Sequence, residues 1–276
     1  MDHALTDEEI LTFFQGLERS VGVNLDLTKK YLLNARLQPV VATTRFSSVD
    51  SFVRELNLTG SSALHEKAYS ALTTNETMFF RDPLFFKVLK EYTLPNLIKT
   101  KSNTKTVRIW SAAASTGQEV YSLGMLIQQY FPELANWNIQ ILGSDISEPI
   151  LEKAKNGIFN HSEIRRGLPQ NYFTKFFKEI DESKYQISDS IRKMVEFKRF
   201  NLIKDSFPKH YFDLILLRNV LIYFSPENKF SVLRKSGQAL VDKNGILFLG
   251  GAESINGHTD YTVNLNPHWT FYSKKG

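Results

Sequence analysis

The sequence predicts an α/β protein: a mostly parallel sheet covered by helices and preceded by a small all-helical domain. Three observations carry this expectation. From Val107 onward, short β-rich runs alternate with helical segments, the order that builds βαβ units with right-handed crossovers. Before that point, the first 70 or so residues carry no strong strand signal. The tract at about 157–193 interrupts the alternation and reads as an insertion.

Taken in order, helical pieces are expected around 8–19 and 49–56. Between them Leu27, Tyr31 and Ala35 recur every four residues, while Lys29 and Arg36 stand seven apart, so an apolar and a basic stripe fall on different faces of one helix. Pro39 is expected to end or kink it. Residues 75–90 form a connection leading into a helix, and TKSNTKT is a polar loop. VRIW then reads as a strand and GQEVYSLGMLIQQYF as a helix with Val120, Leu123, Ile127 and Tyr130 on one face. IQILGSDI is the next strand, and SEPILEKAKNGIF a helix with Ser147 as N-cap and Pro149 in its first turn. The insertion offers a helix, PQNYFTKFFKEI, and a hairpin around KYQISDSIRKMVEF. VEFKRFNL and FDLILL are strands, the second apolar enough to be buried on both faces. NKFSVLRKSGQAL is a helix, and GILFLG and WTFYSK are strands. The expected division is a helical domain over 1–73, a linker over 74–92 and an α/β domain over 93–276.

Composition bounds the function classes. With 276 residues, 42% apolar and 23% charged, the chain has the make-up of a soluble globular protein. The absence of cysteine excludes disulfides, thiolate metal sites and a cysteine nucleophile. MDHALTDEEI has no basic n-region before an apolar core, and the most apolar run, LILLRNVLIYF, is 11 residues long and carries Arg218, too short to span a bilayer. A cytoplasmic chain is the expectation. The net charge of +5 is uneven: residues 1–80 hold 7 Lys/Arg against 10 Asp/Glu, yet 27–54 hold five basic residues against Asp50 alone. Such a patch suits an acidic partner, and on charge alone it equally suits a solvated helix face.

The turn WSAAASTGQE follows the first strand of the α/β region, where open parallel sheets bind their ligands. Small residues let the backbone approach a ligand closely, and the helix that follows presents free N–H groups. A dinucleotide site would carry G-x-G-x-x-G to make room for a pyrophosphate; here alanines stand instead, beside Glu119. An acid at that position repels phosphate and suits a cation. The second strand ends in GSDIS, where Asp145 can accept hydrogen bonds from both hydroxyls of a ribose, or act as a turn residue. A small-residue loop, an acid after the second strand and no phosphate fingerprint together point to S-adenosylmethionine.

Two further segments, TNETMFFR at 74–81 and RNVLIYF at 218–224, complete a set of four with AAASTGQE and SDI. In this order and over nearly the whole chain, the set resembles the chemotaxis receptor glutamate O-methyltransferases, the CheR family. The resemblance implies a class I S-adenosylmethionine-dependent methyltransferase fold, Rossmann-like, with a mostly parallel seven-stranded sheet, a helical first domain and an inserted β-subdomain. It implies methyl transfer from S-adenosylmethionine to receptor glutamates, with S-adenosylhomocysteine as product, no metal and no nucleic acid partner. Asn75, Thr77, Arg81, Glu119, Asp145, Asn201, Leu202, Arg218 and Asn219 match the family's cofactor-binding positions, with Asp145 nearest the ribose and the Asn201–Leu202 pair beside the adenine. Arg81 and Tyr223 are the expected catalytic pair: Arg81 to hold a carboxylate of cofactor or substrate, Tyr223 to orient the attacking oxygen. Thr77 could instead cap a helix, Leu202 pack in a core, and Tyr223 close a strand end.

The family's receptor-facing helix is often richer in arginine. Here Gln38 and Pro39 occupy that stretch, and Lys29, Lys30 and Arg36 keep a reduced basic face toward the receptor's acidic methylation helices. Members that tether to a receptor's carboxyl-terminal peptide carry a glycine-containing loop in the insertion, whereas 178–194 has no glycine. The expectation is a monomer that acts without a tether and does not insert into the membrane. The competing readings are a methyltransferase acting on RNA or another protein, which the pI of about 9.1 would permit, and a non-catalytic sensor of the cofactor or its product.

Overall fold

The structure is a computed structural model that describes residues 3–59, 63–255 and 257–275. The chain separates into two compact units. One holds residues up to Asn75 together with Asn201–Asp205 and Tyr223–Lys229, and the other holds the remainder.

The first unit is helical. Helix α1 (Asp7–Val21) starts in a reciprocal capping box between Thr6 and Glu9 and ends at Gly22, whose φ of 84° suits a residue without Cβ. It buries Ile10, Phe13, Phe14 and Leu17. A single 3₁₀ turn at Leu27–Lys29 precedes α2 (Tyr31–Val41), so the basic segment is not one continuous helix. The expected stripe is also misplaced: α2 buries Leu33, Leu37 and Val41, whereas Ala35 is exposed and Tyr31 is 61% exposed. Both stripes have a spacing of four, and larger aliphatic side chains decide which one turns inward. Pro39 lies inside α2, which runs two residues past it; the carbonyl its missing N–H would have met belongs to exposed Ala35 and can be hydrated. Helices α3 (Val49–Leu58) and α4 (Ala63–Leu72) complete the bundle, with the Tyr69 ring 5.5 Å from that of Phe13.

The second unit opens with α5 (Pro83–Val88), which passes through a π turn into α6 (Leu94–Thr100). There follow β1 (Thr106–Ala112), α7 (Gln118–Tyr130), β2 (Asn138–Asp145) and α8 (Glu148–Asn156). The interrupting tract holds β3 (Ile158–Asn160), α9 (His161–Arg165), α10 (Gln170–Phe176), β4 (Phe177–Asp181), β5 (Lys184–Ile187) and α11 (Asp189–Arg192). The chain continues with β6 (Val195–Arg199), β7 (Leu214–Leu217), α12 (Pro226–Ala239), β8 (Ile246–Leu249), β9 (Tyr261–Asn264) and β10 (Phe271–Lys274).

Seven strands form one sheet in the order β6-β2-β1-β7-β8-β10-β9, parallel except for β10, which runs antiparallel to both its neighbours. All four residues of β7 and all four of β8 are buried, as their unbroken apolar runs require. The inserted strands make a separate antiparallel sheet, β3-β5-β4. Its hairpin pairs Phe177–Asp181 with Lys184–Ile187, earlier in the chain than expected, and Val195 onward joins the large sheet as an edge strand. The helix expected to run to Ile180 stops at Phe176. Phe177 packs its ring 5.6 Å from Phe79 and 6.3 Å from Phe159, and this aromatic contact accompanies the change to extended chain.

Candidate functional site

The strand order reverses across β1 and β7, so the ligand crevice of this sheet lies beyond their carboxyl ends. The segment after β1 is held in an unusual backbone. Ala113 has φ 63°, Ser115 φ 51° and Gly117 φ 90°. Two non-glycine residues in the left-handed region of one short loop need support from around them. Asp145 supplies part of it: its Oδ2 accepts from the Ser115 amide at 2.9 Å, while the Ala114 amide donates to the Ser144 carbonyl at 2.7 Å. Gly117 is required on two counts, its φ and the 2.9 Å that would separate an added Cβ from the Phe197 ring.

Asp145 is 7% exposed and its Oδ1 accepts from the Ser147 amide at 3.1 Å. Burial raises its pKa above the ordinary carboxylate value, against the lowering effect of the amides of Ser147, Ser115 and Ile146. A carboxylate has about four acceptor positions, so these bonds leave Asp145 able to accept from a ligand hydroxyl. The bent small-residue loop and this part-used carboxylate fit the nucleoside of S-adenosylmethionine.

Arg218, the first residue after β7, is 4% exposed. One of its terminal nitrogens donates to Glu119 Oε2; the other donates to Asp82 Oδ2 at 2.6 Å and to the Arg81 carbonyl at 3.2 Å. Its guanidinium carbon sits 3.9 Å from the centre of the Phe85 ring and 5.6 Å from that of Trp269. The other Glu119 oxygen accepts from Ser111 Oγ at 2.8 Å. Glu119 therefore does not present a bare charge, as its place beside the helix start had suggested; its acidity is balanced by Arg218. The linker turn is strained at the same place, with φ 47° at Phe80 and φ 62° at Asp82. The Phe80 amide donates to Ser122 Oγ on α7 at 2.9 Å.

Among the residues expected at the site, Thr77, Arg81, Glu119, Asp145, Arg218 and Asn219 belong to the sheet unit. Arg81 is half-buried and spends one donor on the Glu76 carbonyl at 3.1 Å; Thr77 is half-buried. Asn219 takes φ 59°, with its amide donating to Glu253 Oε2 at 2.8 Å. Asn75, Asn201, Leu202 and Tyr223 group with the helical unit. The Asn201 side chain is committed there: Nδ2 donates to the Ser20 carbonyl at 2.8 Å and Oδ1 accepts from the Ile203 amide at 2.9 Å. Tyr223 is half-buried, its carbonyl accepting from the Asn24 amide at 2.8 Å. Lys29 and Lys30 are exposed, and Arg36 donates to the Thr73 carbonyl at 3.0 Å, so the basic face is mainly the two lysines.

Sequence reasoning missed Asp82, Ser111 and Glu253. The Asp-Pro pair at 82–83 reads as a helix start, yet Asp82 makes no side-chain capping bond and turns its carboxylate to Arg218. Glu253 accepts from the amides of Asn219, Ile222 and Gly250, at 2.8, 3.2 and 2.7 Å. No motif announces it, because its partners are backbone groups. Among the described residues, no group of three or more His, Asp or Glu side chains is placed to hold a metal ion, and no helix is long and apolar enough to cross a membrane.

The family model described as CheR methyltransferase, SAM binding domain, matches residues 75–271. The chain is 36% identical over 268 residues to the chemotaxis protein methyltransferase of Vibrio anguillarum, covering 95% of this chain and 96% of that one. It is 36% identical to chemotaxis protein methyltransferase 1 of Pseudomonas aeruginosa over 95% of this chain and 94% of that one, and 30% identical to the chemotaxis protein methyltransferase of Borreliella burgdorferi over 92% and 90%. With the loop after β1, the acid that ends β2 and the arginine after β7 in place on a seven-stranded sheet, the chain belongs to the CheR family of S-adenosylmethionine-dependent methyltransferases.

Proposed function

We propose that this protein transfers a methyl group from S-adenosylmethionine to glutamate side chains on the cytoplasmic helices of chemoreceptors, forming methyl esters. The observation that carries the reading is the crevice at the switch point of the sheet, where a strained small-residue loop, the part-used carboxylate of Asp145 and the Arg81–Asp82 turn converge within one unit. Similarity to relatives named as chemotaxis protein methyltransferases supports the choice of substrate class.

When bound, S-adenosylmethionine supplies a sulfonium methyl open to in-line attack. The chain's own residues then have limited work. A glutamate carboxylate, with a reference pKa of about 4.3, is ionised near neutrality, so no residue is needed to remove a proton. Asp145 would accept from the ribose hydroxyls and so fix the nucleoside. Asn75, Thr77 and Glu119 would contact polar parts of the cofactor, and Asn201 and Leu202 would border the adenine, Asn201 through its backbone or the turn it shapes. Arg81 would hold a carboxylate with its planar fork. Tyr223 would donate a hydrogen bond to the attacking carboxylate and aim its second oxygen. These placements contribute by proximity and orientation.

On the partner side, Lys29 and Lys30 would face acidic receptor helices. The insertion, without a glycine in 178–194, would not capture a receptor tail peptide, and the protein would act as a monomer. The test is to incubate the full chain with S-adenosylmethionine and a cytoplasmic receptor fragment, then map methyl groups by mass spectrometry. Methyl on glutamate side chains is the expected result. Methyl on another residue type, or on added RNA instead, would contradict the proposal. Saturable binding of a receptor tail peptide would contradict the untethered reading alone.

A further inference from the structure

We propose that the Arg218 side chain is a positioning element of the cofactor site: its guanidinium joins the linker turn at Arg81–Asp82 to the start of α7, and the cofactor contact expected of residue 218 falls to its backbone. The proposal rests on reading this crevice as an S-adenosylmethionine site. The Arg218 side chain is 1% exposed, against 35% for its partner Asp82 and 15% for Glu119. Its hydrogen bonds are made inside the protein, to Glu119, Asp82 and the Arg81 carbonyl. The guanidinium carbon lies over the Phe85 ring, 3.9 Å from its centre, and 5.6 Å from the centre of the Trp269 ring.

The three partners come from segments 99, 136 and 137 residues away, and they are the segments that bear on the ligand. Asp82 directly follows Arg81, in a turn where both Phe80 and Asp82 have positive φ. Such a turn persists only where tertiary contacts over-determine it. Glu119 lies in the first turn of α7, immediately beyond the strained loop. A planar fork reaches two carboxylates at once, which a lysine ammonium on a flexible stem does not reproduce. Removing the buried arginine leaves both Glu119 and Asp82 without their partner, so one side chain serves both segments.

The experiment is calorimetric titration of S-adenosylhomocysteine into the full chain, with wild type, Arg218→Lys, Asp82→Asn, Asp145→Asn and two doubles. Each single change is expected to weaken binding about tenfold. Arg218→Lys combined with Asp82→Asn should bind within about twofold of the weaker single, because both break one bridge, whereas Arg218→Lys with Asp145→Asn should multiply. Multiplication in the Asp82 pair would overturn the proposal, as would an Arg218→Lys variant that melts earlier yet binds normally. If Arg218→Lys does not fold, Asp82→Asn keeps the Arg218–Glu119 pair, and amide hydrogen exchange reads the linker directly. Faster exchange over 79–83 together with weaker binding supports the proposal; unchanged exchange and affinity overturn it. A wild type that binds no S-adenosylhomocysteine would instead remove the cofactor reading itself.

Discussion

Asp145, as the proposed ribose ligand, is expected to give the site its pH dependence. Burial raises its pKa above the ordinary value of 3.8, so the folded chain holds this proton more tightly than the unfolded chain does. Its contribution to stability is therefore greatest below the ordinary carboxylate range and declines as pH rises through the raised pKa. Cofactor binding runs the other way, because the ionised form has the lone pairs that a diol needs. S-adenosylhomocysteine affinity should fall as pH is lowered, beginning above the range of an ordinary aspartate, and the slope should vanish in Asp145→Asn. A profile from calorimetry that is flat in wild type, or unchanged in the variant, would refute the assignment. Arg81→Ala should lower kcat/KM about 10- to 100-fold, the scale of a hydrogen bond to a charged group. Tyr223→Phe should lower kcat about tenfold with KM unchanged, and a change confined to KM would place Tyr223 in substrate binding.

At the level of elements, the loop between β1 and α7 and the linker before α5 are the vulnerable parts. Gly117→Ala places a Cβ 2.9 Å from the Phe197 ring at a φ of 90°. A cost of about 1–3 kcal/mol is expected, read as a lower denaturation midpoint. Phe79, fully buried, meets Phe159 at 4.9 Å and Phe177 at 5.6 Å, so the linker is seated on the inserted sheet. Phe79→Ala should cost about 3–5 kcal/mol and weaken cofactor binding with it. These elements also mark what a sequence conveys. The loop was legible only together with the three other motifs, since small residues after a strand also make merely tight turns, and β7 because an unbroken apolar run suits a strand buried on both faces. The stripe of α2 was misread because two sets with the same spacing compete on one short helix, and only packing selects Leu33, Leu37 and Val41. Asp82 and Glu253 stayed hidden because their partners, a buried arginine and backbone amides, are brought to them by the fold.

At the scale of the molecule, the helical unit recruits 201–205 and 223–229 from the far end of the chain. Asn201, Leu202 and Tyr223 thus belong to that unit, while Asp145 and the arginine bridge belong to the other. A boundary drawn from composition alone could not assign those short returns, since they follow β6 and β7 without a linker of their own. Ester and amide products of methyl transfer differ sharply in base. Methyl-labelled S-adenosylmethionine is incubated with the protein and receptor-containing membranes, and the labelled receptor is treated with alkali. Label released as volatile methanol, and lost when Tyr223 or Arg81 is replaced, is the expected result; label that stays with the receptor in alkali would contradict methyl-ester formation.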